Sequence, residues 1–162
     1  MSISYETVCA FLYREARHLD EHDWDNWLAC YDEKATFWMP AWDDDGELTE
    51  DPQSEISLIY YPNRGGLEDR VFRIRTERSS ATIPDTRTSH NITNVEVVEQ
   101  SGNVVKVRFN WNTSSTRYNH TDLFYGSSFY TIDFSGANPL IKEKKVVLKT
   151  DYIRHVIDVY HI

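Results

Sequence analysis

The sequence has 162 residues, 40% of them hydrophobic and 27% charged, enough for one compact domain with a core of its own. Its formal net charge of -9, from 26 acidic against 17 basic residues, argues against a partner held through a nucleic-acid backbone or an anionic membrane surface. No apolar run approaches the roughly 20 residues of a membrane-spanning helix, and two cysteines, Cys9 and Cys30, are too few for a disulfide framework. Residues 1–9 show neither a basic leader nor a continuous apolar stretch, so a cytoplasmic protein is expected. The aromatic content is high, with five Trp, ten Tyr and seven Phe. Such side chains fill cores, and Tyr and Trp also gather where one protein meets another.

In chain order, residues 4–19 read as a helix: Ser4 can cap its N-terminus, and Tyr5, Val8, Leu12, Ala16 and Leu19 recur three and four residues apart. A second helix, capped by Asp23, carries Trp24, Trp27, Leu28 and Tyr31. A first strand is expected over 35–41, stopped by Pro40 and the run Asp43 to Asp45, and a polar surface loop follows over 46–53. Periodicity leaves residues 54–61 open between strand and helix start. Gly65 and Gly66 then precede a helix from Leu67 to about Arg75, where Asp69 and Arg73 sit at the spacing of a supporting pair.

From Arg87 onward the pattern turns to strands. Val105, Val107, Phe109 and Trp111 alternate with polar residues, one face wet. The next strand, about 122–134, is apolar on both faces, with Leu123, Tyr125 and Phe129 on one side and Phe124, Tyr130, Ile132 and Phe134 on the other. Such a strand has to be covered on both. A turn over 135–139 leads to a last strand, about 140–150, and an apolar tail expected to dock. Three helices followed by an antiparallel meander give one α+β domain over residues 1–162, with helices on one face of a curved sheet and a cavity between them.

Three constellations could carry chemistry. His18, Glu21 and His22 match His-x-x-Glu-His, which supplies zinc ligands and a base when it lies on one continuous helix. The pattern here breaks near Leu19, and a histidine near a helix C-terminus also suits the helix dipole. His90, on a strand, could act as a general base or acid if a carboxylate such as Asp43, Asp44 or Asp69 reached it; the plainer reading is a histidine hydrogen-bonded within the sheet or lining an interface. Arg64, Arg70, Arg73, Arg75 and Arg78 form a basic cluster that could bind an anionic substrate, grip an acidic partner or pair locally with Glu68, Asp69 and Glu77. No Cys-x-His pair for a Rieske cluster, no glycine-rich nucleotide loop and no nucleophile elbow occurs, so no catalytic, cofactor or metal residue is assigned.

The strings Phe-Trp-Met-Pro-Ala-Trp (residues 37–42) and Gly-Gly-Leu-Glu-Asp-Arg-Val-Phe-Arg-Ile (residues 65–74), with residues 87–95 and 149–162, closely resemble the small (β) subunit of benzoate and toluate 1,2-dioxygenases. The resemblance runs from Tyr5 to Ile162. It implies the NTF2-like cone fold and assembly with a large (α) subunit into an α3β3 hexamer. It further implies that the large subunit holds the Rieske cluster and mononuclear iron, that an NADH-dependent reductase supplies electrons, and that the product is the cis-dihydrodiol of an aromatic carboxylate. The family's metal and catalytic residues lie in the large subunit, so none transfers here. Trp111, Arg117, Tyr125, Tyr130 and Arg154 are the expected interface residues. The competing expectation is a stand-alone isomerase or dehydratase on the same cone, working through His90.

Overall fold

The computed structural model describes residues 2–76 and 85–162. Helix α1 (Tyr5–Asp20) begins where expected, the Ser4 hydroxyl accepting from the Thr7 amide at 3.1 Å. It buries Val8, Phe11, Leu12, Ala16 and Leu19 on one stripe. A short α2 (Trp24–Leu28) buries Trp24 and Trp27. Strand β1 (Tyr31–Pro40) starts four residues before the expected strand; its buried positions Tyr31, Ala35, Phe37 and Met39 lie in phase, while Asp32, Glu33 and Lys34 mask that phase in the sequence.

The ambiguous segment resolves as strand β2 (Ser57–Tyr61), antiparallel to β1. Helix α3 (Gly65–Thr76) includes both glycines rather than following them. The Asn63 side chain accepts from the Gly65 amide at 2.9 Å, and a Cβ on Gly66 would stand 2.3 Å from the Tyr61 ring, so the helix can start only with its backbone pressed on that ring. Arg78 and Glu77 lie outside the described residues.

Strands β3 (Arg87–Ser101), β4 (Val104–Arg117), β5 (His120–Asp133) and β6 (Leu140–Leu148) form the expected antiparallel meander. The sheet order is β2-β1-β6-β5-β4-β3, with β1 and β6 parallel. A two-residue loop joins β4 to β5; Tyr118 and Asn119 both take positive φ, 51° and 60°, as a tight hairpin of this hand requires. Gly126 is the close approach of β5 to β6: a Cβ there would sit 1.8 Å from the Val147 carbonyl oxygen.

Helix α1 lies across the inner face of β3 to β6, and their side chains form one core from Val8, Phe11 and Leu12 to Val107, Phe109, Tyr130 and Ile132. The tail closes the cone. A 3₁₀ turn (Val159–His161) and Ile162 are buried, as the apolar tail led one to expect. The expected cavity is instead nearly filled: about 20 Å³ remains between α1 and the sheet.

Candidate functional site

What fills the cone is polar as well as aromatic. Glu15 sits on the apolar stripe of α1 and is 2% exposed; Lys144, in phase with Val146 and Leu148 on β6, is also 2% exposed. The Glu15 Oε1 accepts from Trp27 Nε1 at 2.9 Å, from the Tyr31 hydroxyl at 2.8 Å and from Lys144 Nζ at 3.4 Å. Its Oε2 accepts from the Tyr130 hydroxyl at 3.3 Å. Burial alone would push the Glu15 carboxyl up, but the Lys144 charge and the bonds from Tyr31 and Trp27 hold it below its ordinary range. Burial pulls the Lys144 ammonium down against the opposing pull of Glu15. The Tyr31 and Tyr130 hydroxyls are pushed well above the usual value by burial and then by the Glu15 charge, so both stay protonated donors.

His90 is partnered, but not by the residues the sequence offered. Asp43 and Asp44 are exposed on the loop after β1, and Asp69 lies on the outer side of α3. The carboxylate that meets His90 is Asp20, the last residue of α1: Nδ1 lies 2.5 Å from Oδ1, the His90 amide donates to Oδ2 at 3.0 Å, and the Thr88 hydroxyl donates to Oδ1 at 2.9 Å. Burial raises the Asp20 carboxyl, and these bonds more than reverse it, leaving a carboxylate. A general base needs space for a substrate beside it. Inside the cone only about 20 Å³ adjoins the ring, against the roughly 300 Å³ or more of a small-molecule pocket, while an open groove of about 570 Å³ runs past His90 and Asp20 between α1 and β3 without enclosing them. With no enclosed pocket at the ring, the stand-alone isomerase is not favoured; the His90 side chain bonds not within the sheet, as the plainer reading has it, but to Asp20 at the end of the helix that crosses the sheet.

The His-x-x-Glu-His pattern is split by the helix end. Helix α1 stops at Asp20, His22 takes a φ of 55° and stacks on Trp24, and His18 Nδ1 lies 3.4 Å from Asp23 Oδ2. Cys9 is buried on α1 and Cys30 in the turn between α2 and β1, and burial, with Glu15 nearby, pushes the Cys30 thiol up to about 12. Among the described residues, no three His, Cys, Asp or Glu side chains converge as a metal set.

Three arginines of the cluster form separate pairs, while among the described residues Arg73 makes no ion pair with Asp69. Arg64, just before α3, meets Glu68 of its first turn at 2.8 Å, Arg75 crosses to Asp25 at 2.8 Å, and Arg70 grips Asp158 with its guanidinium fork. Asp158 also caps the 3₁₀ turn, accepting from the Val159 amide at 2.7 Å, while its own amide donates to His161 Nδ1 at 2.8 Å. Burial depresses His161 to about 4.

Of the five expected interface residues, two are core. Trp111 is 6% and Tyr130 4% exposed, because the inward phase of β4 and β5 turns both toward α1. Tyr125 is 47% exposed on the outer face of β5, with Leu123 and Phe129 in the same phase and also exposed. Arg117 and Arg154 come together in a cleft of about 790 Å³ between the β4–β5 hairpin and the tail, beside His120 and Asp122. There Asp122 Oδ1 lies 3.1 Å from His120 Nε2 and 3.9 Å from Arg154, and the Arg117 guanidinium stacks on Tyr118. Sequence reasoning missed Glu15, Asp20 and Lys144. A charge in phase with an apolar stripe was the available signal for Glu15 and Lys144; the pairing of Asp20 depends on where α1 crosses β3.

The whole chain can be set beside known proteins. It is 67% identical to the toluate 1,2-dioxygenase subunit beta of Pseudomonas putida over 162 residues, covering all of both chains. It is 63% identical to the benzoate 1,2-dioxygenase subunit beta of Acinetobacter baylyi, over 99% of this chain and 95% of the other. The crystal structure of the beta subunit of the benzoate 1,2-dioxygenase from Burkholderia mallei superposes with a TM-score of 0.87 at 58% identity, over 100% of this chain and 99% of that one. More distant neighbours share the NTF2-like arrangement of helices on a curved sheet. The family model for the ring hydroxylating beta subunit matches residues 14–155. With that match across its helices and its sheet, the chain belongs to the ring-hydroxylating dioxygenase β-subunit family.

Proposed function

We propose that the chain is the assembly subunit of the terminal oxygenase of a benzoate- or toluate-type 1,2-dioxygenase, and that it performs no chemistry itself. In this reading residues 1–162 are one β-subunit domain that packs with a large oxygenase subunit as an α3β3 hexamer. The large subunit carries the Rieske cluster and mononuclear iron, an NADH-dependent reductase feeds it electrons, and an aromatic carboxylate is cis-dihydroxylated in the cytoplasm. The observation that carries the non-catalytic role is the filled cone, in which Glu15, Tyr31, Tyr130 and Lys144 occupy the space a substrate would need. The full-length identity to toluate and benzoate dioxygenase β subunits supports the substrate class.

The interface reading keeps Arg117, Tyr125 and Arg154 and releases Trp111 and Tyr130 to the core. Arginine and tyrosine are enriched where partners bind, and an exposed apolar strand face is the feature a monomer rarely leaves bare. No helix among the described residues is long and apolar enough to cross a membrane. The test is co-purification with the large subunit. Tyr125→Ser and Arg154→Ala should each loosen the complex while leaving the melting temperature of this chain within a few degrees; retention of full complex by the pair combined contradicts this interface.

A further inference from the structure

Two polar atoms deep in the cone have no hydrogen-bond partner among the described residues: His90 Nε2 and Trp111 Nε1. Both side chains are more than nine-tenths buried, with His90 at 7% and Trp111 at 6% exposure. They line one and the same cavity of about 20 Å³, together with Glu15, Ser128, Tyr130 and Lys144. That volume exceeds the roughly 10–15 Å³ a single water requires. It is far too small for any organic ligand.

The bonding of Glu15 supplies a third partner. Three donors converge on its Oε1, whereas Oε2 takes only the Tyr130 hydroxyl, at 3.3 Å. A carboxylate oxygen accepts two bonds readily, so Oε2 has capacity to spare. Asp20 is a carboxylate and can only accept, which places the His90 proton on Nδ1. The other ring nitrogen is left at the cavity.

We propose that this cavity is the site of one internal water, which accepts from Trp111 Nε1–H and donates to His90 Nε2 and to Glu15 Oε2. Three bonds are the usual number for a buried water. With it, the Asp20–His90 pair and the Glu15–Lys144 pair become one polar chain linking α1, β3, β4 and β6 through an aromatic core. The two groups without partners then have them, as buried polar groups in native proteins almost always do.

A crystal structure of the full chain, at a resolution that shows ordered solvent, tests the site with no variant required. The expected result is one solvent peak within hydrogen-bond distance of both His90 Nε2 and Trp111 Nε1. In solution, the indole N–H resonance that disappears in Trp111→Phe should show cross-relaxation with water of the sign given by a molecule tumbling with the protein. Empty density at that position, a His90 ring turned so that Nε2 meets a protein atom, or an indole proton with no cross-relaxation to water overturns the proposal.

Discussion

Glu15 and Lys144 place two opposite charges out of reach of bulk solvent, and the carboxylate survives there because four donors from the protein surround it. Removing one partner leaves the other charge buried and uncompensated, which is the costly case. Lys144→Met should therefore destabilise the chain by about 3–5 kcal/mol, read as a lowered denaturant midpoint. The double variant Glu15→Gln with Lys144→Met should recover part of that loss, because the remaining polar groups are then neutral. His161 gives a second prediction at this scale. Its folded pKa, about 4, lies below the ordinary value of 6.5, so the folded state resists the proton that the unfolded state takes up. The associated stability is complete above about pH 6.5 and is lost as pH falls toward 4, an effect on the order of 3 kcal/mol. Asp20, held low by His90, adds loss in the same direction at lower pH. In His161→Gln the side chain can still accept from the Asp158 amide but cannot titrate, so the slope of stability between pH 6.5 and 4 should flatten in urea melts at several pH values.

The elements were legible wherever period and punctuation agreed. Helix α1 and the alternation of β4 could be read directly, since Ser4 caps the one and every second residue from Val105 to Trp111 is buried in the other. Strand β1 was clipped because Asp32, Glu33 and Lys34 hide its first buried position, Tyr31. The β4–β5 turn has no glycine to announce it; Tyr118 and Asn119 adopt positive φ because the flanking strands pair from Arg117–His120 onward and hold them there. Where the strands press closest, side-chain size becomes decisive. Gly126→Ala forces a methyl group to within 1.8 Å of the Val147 carbonyl oxygen, so β5 and β6 cannot keep their register. This variant should fail to give a cooperative thermal transition. The tail is held differently, by Arg70 and the Asp158 cap rather than by strand pairing. Arg70→Ala should raise amide exchange at Val159 to Ile162 several-fold while leaving β4 and β5 protected.

At the scale of the molecule, the fold was foreseeable and the state of its interior was not. Helices followed by a meander imply a cone, but whether the cone is open depends on which side chains meet inside it. Glu15, Trp27, Tyr31, Tyr130 and Lys144 come from five elements spread over most of the chain, and no local pattern joins them. The outer face of β5 tells the complementary story. Leu123, Tyr125 and Phe129 made the strand apolar on both sides, and within this chain only the inner side is covered. A closed interior beside an uncovered aromatic face is what an assembly subunit requires and what a free-standing enzyme does not.

The most direct test is to produce the chain alone and together with its large oxygenase subunit, and to measure mass, iron content and turnover of benzoate and toluate for each. The account predicts a complex of six chains whose iron resides in the large subunit, with dihydroxylation by the complex and none by this chain alone. An isolated chain that stays apart from the large subunit, or that turns over a substrate by itself, would contradict it.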